Sequence, residues 1–177
     1  GGRRIIKTKT EHKLLLDGAD DHFRLVCALD GIARPDVLEQ RNDYLDTTRL
    51  DLRARGVMVR VRVAGGRALV TCKAGGAFAG AVHRVTEIER NLPEVLQNRW
   101  AAGPLPRASV ADLGLEDLLA RTEADGGLLQ VPLAADILLH TLGSVLNTRR
   151  AYRVVGTDLS GDPGDVERLT LEIDHTR

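Results

Sequence analysis

The chain has 177 residues, and its 25 lysines and arginines balance 25 aspartates and glutamates, so it carries no formal net charge. That length suits one domain with a real hydrophobic core, and the charge balance excludes a generic nucleic-acid or membrane-surface binder, which needs an excess of one sign. Its two cysteines, Cys27 and Cys72, have no metal-ligand spacing, which excludes structural zinc and points to a reduced, cytosolic setting; no apolar run approaches the roughly 18 residues that span a bilayer.

Residues 5 to 16, IIKTKTEHKLLL, read as a strand with Lys7, Lys9, Glu11 and Lys13 on one face. After Asp17-Gly18, the segment ADDHFRLVCAL has apolar residues at 23, 25, 26 and 29, the spacing of an amphipathic helix, with Gly31 as its stop. QRNDYLDTTRLDLRARG then leads into GVMVRVRVAG, residues 56 to 65, which alternates strictly. Val57, Val59, Val61 and Val63 share one face, and Met58, Arg60 and Arg62 share the other. Gly65-Gly66 predicts a hairpin into RALVTCK, and Gly75-Gly76 ends that strand. VHRVTEIER, residues 82 to 90, alternates again, with His83, Val85, Glu87 and Glu89 on one side. Residues 101 to 109 read as a loop, and Ser109 as the cap of a helix through 110 to 122. A second helix is expected from Pro132 through ADILLHTLGSVL. NTRRAYRVV (147 to 155) and ERLTLEID (167 to 174) read as strands on either side of the turn cluster SGDPGD.

Nearly every strand therefore carries ionisable residues on one face only. Solvent can accept such faces singly. An antiparallel sheet that closes or curls on itself offers another solution, in which the polar faces turn inward around a wet channel and the valine faces lie under helices. A channel lined by Lys13, Arg60, Arg62, Lys73 and Arg150 needs an anion of several charges, and a linear polyphosphate meets that need, because the arginine fork grips phosphate oxygens in pairs. The carboxylates of Glu11, Glu87, Glu89, Glu172 and Asp174 on the same faces would oppose an anion unless a hard divalent cation, magnesium or manganese, lies between them. The protein then positions and stabilises charge, and no nucleophilic cysteine, serine or histidine is required. The few aromatic residues supply no stacking platform for single-stranded nucleic acid.

TEHKLLLD, DYLDTTRLDLRARGVMVRVRV, LVTCKAGG, HRVTEIER, NTRRAYRVV and LEIDHT, in this order from about residue 5 to 175, resemble the CYTH superfamily of triphosphate tunnel metalloenzymes, with thiamine-triphosphatase-like and inorganic tripolyphosphatase members most similar. The resemblance implies an α+β fold: an antiparallel β-barrel, the triphosphate tunnel, with helices outside. It implies metal-dependent hydrolysis of tripolyphosphate or a small organic triphosphate, with Mg2+ or Mn2+. By the same resemblance Glu11 and Lys13 are catalytic; Lys13, Arg60, Arg62, Lys73 and Arg150 bind substrate; and Glu11, Glu87, Glu89 and Asp174 serve the metal. Tyr44 and Asp46 match the Y-x-D-T signature before the arginine strand, although Asp46 also suits a structural cap after its strand. Arg149 and Arg150 lie on opposite faces, and of the two Arg150 is the better match. Lys9 stands where the E-x-E-x-K motif has its first glutamate. One domain over 1–177, lacking the family's final strand and C-terminal helix, is the expected organisation. Polyphosphate synthesis is the alternative that a more basic first strand, with Lys7, Lys9 and Lys13, favours, and binding of polyphosphate without turnover is another.

Overall fold

The computed structural model describes residues 8–9, 16–79, 82–157 and 166–176. In chain order these form β1 (Thr8–Lys9), α1 (Ala19–Asp30), β2 (Asp36–Asp46), α2 (Asp51–Ala54), β3 (Val57–Ala64), β4 (Arg67–Ala79), β5 (Val82–Asn91), α3 (Glu94–Ala102), β6 (Arg107–Ser109), α4 (Glu116–Leu119), a 3-10 turn (Glu123–Asp125), β7 (Leu138–Thr157) and β8 (Val166–Thr176). The eight strands make one antiparallel sheet in the order β1-β5-β4-β3-β2-β7-β6, with β8 paired to β7. Among the described residues this order is open, with β1 and β6 at its ends. Two compact units share the strands: Gly1–Glu11 with Arg41–Val145, and His12–Gln40 with Leu146–Arg177. No described helix is long and apolar enough to cross a membrane.

The hairpin read at Gly65-Gly66 forms as expected. Ala64 pairs with Arg67, and the two glycines between them take φ of 55° and 75°, the left-handed values that a two-residue turn matching the strand twist demands at both positions. This turn sets the register that follows: Arg62 opposite Leu69, Arg60 opposite Thr71 and Met58 opposite Lys73. The next pairing brings Thr71 opposite Glu89 and Lys73 opposite Glu87.

In the first unit the valine face is the buried one. Val57, Val59 and Val61, with Val70, Cys72 and Ile88 from the neighbouring strands, join Leu45, Leu52, Trp100, Leu113 and Leu119 in one core. The apolar residues of α2, α3 and α4 thus lie on the valine side, and the arginines occupy the face turned away from them. Beneath α3 the buried Asp43 carboxylate accepts from Trp100 Nε1 at 2.7 Å, Ser144 Oγ at 2.6 Å and Arg41 Nε. In the second unit α1 lays Val26 and Leu29 on Tyr152 of β7 and Ile173 of β8. Helix α1 spans the predicted residues and stops at Gly31.

Two helix expectations are corrected. The run from Pro132 through Leu146 is not a helix: β7 begins at Leu138, pairs with β6, and buries Leu139 in the core. A short apolar run fits either period, and here pairing with neighbouring strands decides. Between 110 and 122 only the single turn of α4 is α-helical. Ser109 caps no helix: its Oγ accepts from Asp112 N at 2.9 Å while Asp112 Oδ2 accepts from Ser109 N, which closes a turn, and Gly114 at φ 66° breaks the chain direction before a helix can propagate. Strands β2 and β6 are additions, because neither shows clean alternation in the sequence.

Candidate anion-binding site

The β3-β4-β5 register builds a charged face in rows. On it Arg60 Nη2 lies 3.9 Å from Glu87 Oε1, and Lys73 Nζ lies 3.3 Å from Glu87 Oε2. Arg62 Nη1 lies 3.8 Å from Glu89 Oε1, and Thr71 Oγ1 donates to the same oxygen at 3.4 Å. Asn42 Oδ1 on β2 accepts from Arg62 Nε at 3.3 Å. The Arg60 and Arg62 side chains keep only 12% and 20% of their exposure, so this is not a freely solvated face. Residue alternation, the two-glycine turn and the direct Lys73–Glu87 register are together sufficient to converge these groups.

Among the described residues, three cations here, Arg60, Arg62 and Lys73, face two carboxylates, Glu87 and Glu89, an excess of one positive charge in that set. Arg60 Nε is buried and has no hydrogen-bond partner among the described residues. A desolvated donor on a cationic group costs free energy until an acceptor reaches it. Net positive charge with an unsatisfied donor fits an oxyanion. The same face also suits a hard cation brought with such an anion: Mg2+ and Mn2+ take oxygen ligands, and magnesium is commonly held by one or two carboxylates, with waters and substrate phosphates completing its shell. Glu87 and Glu89 are two such carboxylates. No three acidic, histidine or cysteine side chains come together as a metal cluster among the described residues.

Asp46, matched by sequence to the site, has structural work. Its Oδ1 accepts from the backbone N–H of Thr47 and Leu52 at 2.7 and 2.9 Å, and its Oδ2 from that of Arg53 at 2.9 Å, so it ties β2 to α2. Cys72 is buried on the valine side, and burial pushes its thiol up to about 12, well away from nucleophilic use.

The second unit sorts its charges by face. On β7 and β8, Arg149 stands opposite Asp174 and holds it with both arms, Nε to Oδ1 and Nη2 to Oδ2 at 2.8 Å each, while its Nη1 lies 2.9 Å from Glu172 Oε2. Arg150 is on the other face, opposite Ile173, with Nη1 4.0 Å from Asp30 Oδ2; Tyr152 Oη donates to Asp30 Oδ1 at 2.7 Å. Burial, and then the Asp30 carboxylate, hold the Tyr152 hydroxyl above its ordinary value. Arg150 and Asp174, paired by the sequence reading in one channel, thus lie on opposite faces of this hairpin, and Arg149 is the arginine that shares a face with Glu172 and Asp174. Asn42 and Thr71 join the face of Arg60 and Arg62 without having been candidates in the sequence, whereas Arg149 is weighed there against Arg150. Asn42 and Tyr44 share parity on β2, which was the available signal for the first.

Glu11 and Lys13 lie outside the described residues, as does the turn cluster at 160–165. Lys9 is described only as a strand position, opposite His83.

The CYTH domain model matches residues 7–177. No curated protein matches the chain. Among solved structures, a putative adenylyl cyclase from Hippeastrum, described as having a dominant triphosphatase activity, superposes with a TM-score of 0.66 at 23% identity, covering 92% of this chain and 70% of its own.

Proposed function

The chain belongs to the CYTH domain family, and from that premise we propose that it hydrolyses a triphosphate, tripolyphosphate or a small organic triphosphate, in a reaction supported by Mg2+ or Mn2+. The observation that carries this reading is the convergence of Arg60, Arg62 and Lys73 on one half-buried face, with the Arg60 Nε donor unsatisfied among the described residues. The Hippeastrum protein's described triphosphatase activity supports the reaction class.

The arginine forks take non-bridging oxygens in pairs, and Lys73 adds a point charge beside them. With phosphate oxygens in place of Glu87 and Glu89 on these cations, those two carboxylates, and Glu11 as a third, are the residues that would hold a divalent ion. Such an ion would supply charge neutralisation between phosphate oxygens. Water attacks the terminal phosphorus, the bridging P–O bond breaks, and orthophosphate and the shortened chain leave with release of a proton to solvent. Arg60 and Arg62 stabilise the charge that builds on the departing bridge oxygen and its neighbours. Lys13 is proposed to bind substrate with them.

Phosphate release from tripolyphosphate, with and without magnesium or manganese, tests the reading in the wild type and in Arg60→Ala/Arg62→Ala. Metal-supported release that the double variant loses is the expected result. Binding with no release under any metal would replace hydrolysis by a binding function, and chain growth from a nucleoside triphosphate would replace it by synthesis. The lysine at position 9 is the observation that favours those second readings.

A further inference from the structure

We propose that Asn42 is a positioning residue that sets the guanidinium of Arg62, making Arg62 the fixed member of the arginine pair and Arg60 the adjustable one. The inference rests on the phosphate-binding reading of this face.

Asn42 lies on β2, the strand beside β3, with 5% of its surface exposed. Its Oδ1 takes the Nε–H of Arg62 at 3.3 Å. Nε is the guanidinium nitrogen nearest the stem. A bond there fixes the plane of the fork while leaving Nη1 and Nη2 forward, and Nη1 is the nitrogen that lies toward Glu89. Two residues away, on the same face, Arg60 has its Nε buried and unpartnered among the described residues. An arginine already oriented loses less freedom when it meets a ligand, whereas one without such a bond must be ordered by the ligand itself. The acceptor is a neutral amide. It orients Arg62 without cancelling its charge, which an aspartate in the same place would do.

The test is calorimetric titration with tripolyphosphate in metal-free buffer on wild type, Asn42→Leu, Arg62→Ala and the double variant, with Asn42→Asp as the variant that keeps an acceptor. Asn42→Leu is expected to weaken binding about three- to tenfold, the cost of ordering one rotamer-rich side chain, and to change nothing further once Arg62 is alanine. Asn42→Asp is expected to bind more weakly than wild type with a shallower salt dependence, because the acceptor survives while the added negative charge cancels part of the attraction that salt screens. Loss of the same size from Asn42→Leu in the Arg62→Ala background would overturn the positioning role, since the effect would then be general to the fold. So would unchanged affinity in Asn42→Leu while Arg62→Ala binds weakly. If Arg62→Ala itself binds as wild type, the phosphate-binding reading fails, and the positioning role falls with it. Should Asn42→Leu not fold, Asn42→Ala with and without Arg62, which removes the acceptor without adding charge, decides by the same criterion.

Discussion

Glu87 sits between two cations, its Oε2 3.3 Å from Lys73 Nζ and its Oε1 3.9 Å from Arg60 Nη2. One carboxylate thus occupies the place where an anion's oxygens would meet both side chains, so ligand and glutamate compete. Glu87→Gln is expected to tighten metal-free tripolyphosphate binding several-fold, by removing a like charge from the anion's surroundings. In magnesium it is expected to lower phosphate release. Calorimetry and a phosphate assay on the same preparation read both; a fall in metal-free affinity would refute the competition.

Arg60→Met exchanges an arginine whose Nε is buried without a partner among the described residues for an apolar side chain of similar reach. A buried unsatisfied donor costs about 1–3 kcal/mol, so the variant is expected to melt at a higher temperature than wild type while binding tripolyphosphate far more weakly. Such an exchange of stability for function is what a buried charged binding site implies. A melting temperature below that of wild type would contradict it.

Asp46→Ala removes the acceptor of three backbone N–H groups at the start of the β2-β3 connection. Hydrogen bonds to a charged group are worth about 1.5–3 kcal/mol each and are not additive, so a loss of about 3 kcal/mol or more is expected in urea unfolding. Asp46→Asn, which keeps one acceptor oxygen, is expected to recover part of it. A wild-type midpoint for Asp46→Ala would show that these bonds do not hold the connection.

Arg90 on the valine side grips Asp117 with both nitrogens at 2.7 Å and also donates to the Gly114 carbonyl. This bonding holds the Asp117 carboxyl below its ordinary value of 3.8. A carboxylate depressed in the folded state adds stability above its unfolded value, and that contribution fades as pH falls through 3.8 and on to the lower folded value. Asp117 is nearly half exposed, so solvent screening keeps the contribution small. Wild type and Asp117→Asn are expected to differ in melting temperature at neutral pH and to converge at acid pH. A gap that persists at acid pH would rule out this linkage.

Lys9→Glu restores the first carboxylate of the E-x-E-x-K pattern. Under the hydrolase reading it is expected to raise magnesium- or manganese-supported phosphate release. If the variant instead loses tripolyphosphate affinity and gains no turnover, the binding or synthetic reading takes its place.

Much of this was legible before folding. Strict alternation in residues 57 to 63 separates valines from arginines whatever the sheet does, because side chains on a strand alternate faces, and two consecutive glycines admit the tight turn that pairs Arg60 with Thr71. Alternation alone does not say which face is covered. That was decided when Trp100, Leu113 and Leu119, distant in sequence, packed on the valines. Nor could local pattern decide Leu138 to Leu146, whose apolar spacing admits a helix until neighbouring strands offer hydrogen bonds. The opposite facing of Arg149 and Arg150 follows from sequence, but their partners do not. Asp174 lies 25 residues from Arg149 and Asp30 lies on α1, and only the pairing of β7 with β8 and the packing of α1 on Tyr152 and Ile173 bring those carboxylates within reach.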